Sequence, residues 1–191
     1  MDAVVIDTNV LLIANGSHAG VTQKCRETCV RHLLQRQRVG VVVIDDARRI
    51  LGEYCHKTRP NQPKGAGDAF LKWLLQNQAN GKRVHRVTIH QTSVDRFIEF
   101  PDDALQGRFD PSDRKFVAVA HAHPDKPAVW QAGDSKWLGW WQDLARLGIR
   151  VAFLCPEGLS NELCNRGFHS APNGTRSSPN ITWKLCSAGF Q

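Results

Sequence analysis

Four carboxylates, Asp7, Glu53, Asp113 and Asp134, stand where the surrounding pattern turns an acid toward apolar neighbours instead of water. Asp7 ends the apolar run 3–6, where an ionised carboxylate is costly unless a cation or donors compensate it. A local Asx turn with Asn9 is the plainer use of such an aspartate. Glu53 follows Ile50 and precedes Tyr54, bordering the apolar stripe of a helix; pairing with Lys57 one turn on is its ordinary alternative. Asp113 shares a helix face with Phe116, Val117 and Ala120, although Asp110-Pro111-Ser112-Asp113 also reads as a cap, a first-turn proline and a first-turn acid. Asp134 closes a second apolar-rich strand, with capping of the next helix as its alternative. Acids gathered in one pocket repel one another and stay ionised together only around cations. Hard oxygen donors select Mg²⁺ or Mn²⁺, and ions so held activate water and neutralise the charge that develops on a phosphodiester.

The elements that must position these acids follow from periodicity. Continuous apolar runs at 3–6 and 41–44 read as buried strands, and 84–90, 128–132 and 149–154 resemble further strands. Between them, apolar residues at helical spacing mark helices at 21–34, from Ala47 through Tyr54, around Phe70 to Leu75, at 111–121 and at 136–147. Asp45-Asp46 supplies a cap for the second of these, and the Pro-, Gly- and Lys-rich stretch 58–67 reads as a loop long enough to move. Strict alternation predicts an α/β fold, a three-layer α/β/α arrangement with a central parallel sheet and a binding crevice at the strand carboxyl ends. Asp7 and Asp134 emerge at that edge, and helix starts such as that of Asp113 lie there too. Beyond Pro156 the composition turns to Asn, Ser, Gly and Pro, which divides the chain into a domain at 1–155 and an extension at 156–191. Two glycosylation-type triplets there, at Asn173 and Asn180, are read as chance.

With these residues in view, the chain resembles the PIN-domain nucleases. Val4-Val5-Ile6-Asp7-Thr8-Asn9-Val10-Leu11-Leu12 is similar to the opening motif of that family, Glu53 to its helix-borne acid, 109–120 to its third motif and Gly133-Asp134-Ser135 to its fourth. The resemblance spans roughly 1–155 and implies a PIN-like fold. It also implies Asp7, Glu53, Asp113 and Asp134 as catalytic metal ligands for Mg²⁺ or Mn²⁺, with Asn9 and Ser135 orienting the site or touching substrate phosphate. Arg114 and Lys115, the basic residues within the third motif, join them as candidate substrate contacts. The expected activity is endonucleolytic hydrolysis of single-stranded RNA. For toxin members of the family the implied partners are RNA and an inhibitory antitoxin. The long stretch between Glu53 and Asp113 and the extension after Pro156 depart from the compact family pattern.

Composition supports a polyanionic partner: 25 Lys plus Arg against 18 Asp plus Glu give a formal charge of +7 over 191 residues. Basic residues fall in short groups, Arg36 with Arg38, Lys57 with Arg59, Lys82-Arg83 with Arg86, and Arg114-Lys115, which suggests surface patches. The start of the chain has no basic region and its apolar stretch is broken by Asp7 and Asn9, so the expected location is the cytoplasm and no membrane. None of the six cysteines forms a Cys-x-x-Cys pair; Cys25 and Cys29 read as small core residues, and neither structural zinc nor a disulfide framework is expected. His121, His123 and Cys155 are read as structural. The Trp137, Trp140, Trp141 group is expected to pack a helix on the sheet. Two other functions fit the same residues. Asp7 is a candidate nucleophile of an aspartate-based phosphatase, against which Asn9 stands where such enzymes need a second Asp. A catalytically inactive nucleic-acid-binding module is the other.

Overall fold

A computed structural model describes residues 2–155, and beyond them the backbone of the antiparallel pair β8 (Phe168–Ser170) and β9 (Trp183–Leu185). The expected extension at 156–191, with its two triplets, otherwise lies outside the described residues.

Five strands form one parallel sheet: β1 (Ala3–Ile6), β2 (Val41–Asp45), β3 (Val84–Val87), β6 (Ala128–Gln131) and β7 (Val151–Phe153). Their order is β3-β2-β1-β6-β7. All residues of β1 and β2 are buried, as unbroken apolar runs require when helices cover both faces. The helices α1 (Thr8–Ala14), α2 (Gln23–Arg38) and α4 (Ala66–Asn77) pack on one another, while α6 (Arg114–Ala122) lies against β1, β2 and β6 beside α3 (Arg49–Lys57). The three-layer α/β/α architecture expected from alternation is thus present. The strand order reverses between β1 and β6, which makes their carboxyl ends the topological switch point where open α/β sheets bind ligands. Among the described residues no helix is long and apolar enough to cross a membrane.

Local chemistry adjusts several expected elements. Asp45, fully buried at the end of β2, accepts the amides of Arg49 at 2.8 Å and Ile50 at 2.9 Å, so α3 begins at Arg49 and not at Ala47. The 58–67 loop is anchored: buried Asp68 accepts the amides of Arg59 at 2.9 Å and Lys64 at 3.1 Å and the Asn15 side chain at 2.8 Å. The helix expected at 136–147 breaks into a 3-10 turn, Ser135–Gly139, and α7 (Trp141–Arg146). Periodicity also passed over α1, the hairpin of β4 (Gln91–Ser93) with β5 (Arg96–Phe97), and α5 (Asp103–Arg108), all too short to show a repeat.

Cys25 and Cys29 are buried in the core as expected, but the expectation of no disulfide fails. Cys25 in the first turn of α2 and Cys155 just past β7 form a disulfide across 130 residues, while Cys29 and Cys55 are free. Partners that distant carry no spacing signal, because tertiary folding alone brings them together. In the chain-entropy picture a loop of 130 residues makes such a link worth up to about 5 kcal/mol.

Candidate functional site

Asp7 is 2 % exposed at the carboxyl end of the central strand β1. Its Oδ1 accepts the Asn9 amide at 2.8 Å, which caps α1, so the Asx-type turn and the functional placement coexist. Burial pushes the Asp7 carboxyl well above the usual range, and the fields of Asp113, Glu53 and Asp134 push it further against the Asn9 amide. The charges of three sequence-distant acids thus reach Asp7. Tyr54, wholly buried beneath, donates its hydroxyl to the Ile6 carbonyl; burial and the nearby Asp7, Glu53 and Asp45 charges keep that phenol neutral.

Asp113 closes the 3-10 turn Pro111–Asp113 that leads into α6. Asp110 caps this turn by accepting the Ser112 amide, which frees Asp113 from capping. Asp113 Oδ2 accepts the indole N–H of Trp137 at 2.9 Å. Desolvation and the charges of Asp110 and Asp134 push the Asp113 carboxyl up to about 6, against the Trp137 and Ser112 bonds. Asp134 follows Gly133, whose φ of +77° is left-handed; a Cβ there would meet Ile13 Cδ1 at 2.8 Å, so glycine is required for the turn that delivers the acid. Asp134 Oδ1 caps the Ser135–Gly139 turn by accepting the Lys136 amide at 2.9 Å.

Glu53 differs from the three aspartates. Its Oε1 accepts the Thr8 hydroxyl, and its Oε2 pairs with Lys115 Nζ at 2.5 Å, so both oxygens are engaged. Lys57, the expected partner one turn away, is not the one used. Asp7 and Asp134 each have one oxygen held by a backbone amide, Asp113 accepts the Trp137 indole on Oδ2 and the Ser112 hydroxyl on Oδ1 at 3.3 Å, and Glu53 enters with its charge balanced. Hard carboxylate oxygens are the donor type that Mg²⁺ or Mn²⁺ takes, although among the described residues no three of these carboxylates bring oxygens within 4.8 Å of one another, so an ion shared by three of them would have to draw them together.

Among the expected substrate contacts, Asn9 and Ser135 are half-buried beside Asp7 and Asp134. Arg114 and Lys115 are placed differently from the expectation, each only 8 % exposed. The Arg114 guanidinium donates to the Phe109 carbonyl at 2.9 and 3.1 Å and to the Asp95 carbonyl at 3.2 Å, and so holds the chain entering α6. Lys115 is spent on Glu53 and the Ser112 carbonyl. Other basic groups are also structural. Arg36 donates to the Asp2 carbonyl at 2.5 Å and lies over Trp130, and Arg83 donates to the last carbonyls of α2. The exposed Lys136 is the cation the sequence reading missed. Its Nζ is 2.7 Å from Asp110 Oδ2, and that bond, followed by the fields of Asp110, Asp134 and Asp113, raises its pKa. Thr8, Trp137 and Asp110 were likewise missed as site residues; Thr8 adjoins Asp7 in sequence, but its partner Glu53 is 45 residues away.

Trp137 is fully buried against Phe109 and Trp140 stacks on the same ring at 4.2 Å, so these tryptophans pack the site's floor. His121 bonds the Glu99 carbonyl, and His123 meets His85 at 2.9 Å, as structural residues do. A groove of about 810 Å³ runs along α2 and is lined by none of the four acids. No family model, curated protein or solved structure matches this chain.

Proposed function

We propose that the chain is a Mg²⁺- or Mn²⁺-dependent nuclease of PIN-like type that hydrolyses phosphodiester bonds in single-stranded RNA. One observation carries this reading: buried Asp7, at the switch point of the sheet, feels three further carboxylates from α3, the start of α6 and the end of β6. A resting protein has little reason to set three acids near a desolvated fourth, whereas functional sites do so regularly.

A divalent cation bound among Asp7, Asp113 and Asp134 would supply an activated water and neutralise the charge developing on the phosphate. The protein's own groups do the rest. The Asn9 and Lys136 amides fix one oxygen of Asp7 and of Asp134, which leaves the other for the ion, while Asp113 carries the Trp137 indole on Oδ2 and the exchangeable Ser112 hydroxyl on Oδ1. Lys115 balances Glu53, so the net negative charge confronting a phosphate is lower than four acids alone would make it. Lys136, exposed at the rim, exchanges Asp110 for the substrate phosphate. The formal charge of +7 favours a polyanion in the same way. The cytoplasm is the compartment that fits this substrate.

The test is incubation with RNA and DNA panels in Mg²⁺, Mn²⁺ or chelator, alongside Mn²⁺ binding by calorimetry. Wild type should cleave single-stranded RNA only with metal, and Asp7→Asn should lose both cleavage and Mn²⁺ binding. Undiminished cleavage by Asp7→Asn, or cleavage in chelator, overturns the reading.

A further inference from the structure

Apart from the four acids, three sulfurs share one buried space. Cys25, Cys29 and Cys155 are 6 %, 0 % and 6 % exposed, and their sulfurs all lie within 4.8 Å of one another. Cys25 and Cys29 are one turn apart on α2; Cys155 arrives from β7. The disulfide uses two of the three, which leaves a buried thiol, Cys29, at 3.9 Å from Cys155 Sγ.

We propose that, once the Cys25–Cys155 disulfide is reduced, Cys25, Cys29 and Cys155 form a three-thiolate site for a thiophilic divalent cation such as Zn²⁺. A tetrahedral ion with metal–sulfur bonds of about 2.3 Å sets neighbouring sulfurs about 3.8 Å apart. Cys29 and Cys155 already stand at 3.9 Å, so only Cys25 must withdraw when its bond to Cys155 is cut. The helix also favours the charged form there: Cys25 lies in the first turn of α2, with its amide on the Thr22 capping hydroxyl at 3.2 Å, where the positive end of the dipole stabilises a thiolate. Burial alone pushes the Cys29 thiol up to about 12, a penalty that metal coordination removes by displacing the proton. Water takes the fourth position.

The chemistry balances simply. A dithiol reductant gives two electrons and two protons to the Cys25–Cys155 bond, yielding two thiols and its own disulfide. Binding of the cation then releases protons from the three thiols to solvent. The link between α2 and the end of β7 therefore persists in a reducing compartment, where a plain disulfide opens, with the metal replacing the covalent bond. Each form excludes the other.

The experiment uses the full chain carrying Cys55→Ser, Cys164→Ser and Cys186→Ser, reduced anaerobically with a phosphine and titrated with Co²⁺. The expected result is an intense sulfur-to-cobalt charge-transfer band saturating at about one ion per chain and displaced by Zn²⁺. Carboxylate-bound Co²⁺ gives no such band, so the acidic site does not imitate it. Cys29→Ser should abolish the band yet still form the Cys25–Cys155 disulfide on oxidation, as mapped by peptide mass spectrometry. In the unsubstituted protein, Zn²⁺ should block re-formation of that disulfide by oxidised glutathione. No charge-transfer band, a band unchanged by Cys29→Ser, or reoxidation at the same rate with and without Zn²⁺ each overturns the proposal.

Discussion

Replacing Asp113 with Asn should stabilise the metal-free protein and at the same time weaken its response to metal. Desolvation and the charges of Asp110 and Asp134 raise the Asp113 carboxyl from 3.8 to about 6. An acid with a raised folded-state pKa favours the fold below its unfolded value and loses that contribution as pH rises through the folded value. Asp113 is therefore harmless near pH 4 and destabilising above about pH 6. At about 1.36 kcal/mol per pH unit the full cost is about 3 kcal/mol at neutral pH, and solvent screening of this half-buried group brings it to about 1–3 kcal/mol. Asparagine removes the charge and keeps an oxygen for the Trp137 indole. Urea denaturation in chelator should show the variant more stable by about 1–3 kcal/mol near pH 7.5, with the gap closing near pH 4. Added Mn²⁺ should stabilise wild type far more than Asp113→Asn, because binding to the folded state alone raises stability by mass action. A variant that is less stable than wild type in chelator at neutral pH would refute the electrostatic reasoning, since the acid would then be contributing to the fold and not opposing it.

Trp137→Phe keeps an aromatic ring against Phe109 but deletes the donor that lowers the Asp113 pKa, so the pH midpoint of Mn²⁺ binding should move upward; an unchanged midpoint in calorimetry at several pH values would count against that bond. Lys115→Met leaves Glu53 without its ion partner and should cost about 2–3 kcal/mol in chelator. Adding Glu53→Gln should recover most of that loss, which a double-mutant cycle measures. Arg114→Met should lower stability by about 2 kcal/mol without changing the salt dependence of RNA binding, because its guanidinium is spent on backbone carbonyls. Lys136→Met should do the reverse, reducing the salt slope by roughly one phosphate contact; equal slopes for Lys136→Met and wild type would remove Lys136 from the proposed interface.

The sequence by itself determined the layered α/β class and put four acids forward as a candidate site. Ala3–Ile6 is apolar throughout and Val41–Asp45 at every position but its last, which only a doubly covered strand requires. Asp7, Glu53, Asp113 and Asp134 stood out because each interrupts or borders such a pattern, and the tertiary structure adds that the charges of the other three reach Asp7. What stayed hidden were the partners. Lys115 looked like a free surface cation, yet it neutralises Glu53; Arg114 looked like a phosphate contact, yet it holds the Phe109 carbonyl. Lys136 reaches the cluster only because the chain turns at Gly133, and Cys25 meets Cys155 only because β7 ends beside α2. A residue's chemical type and its local pattern are encoded along the chain. The identity of the group that meets it from 45 or 130 residues away depends on sheet order and side-chain direction, which exist only after the layers have packed.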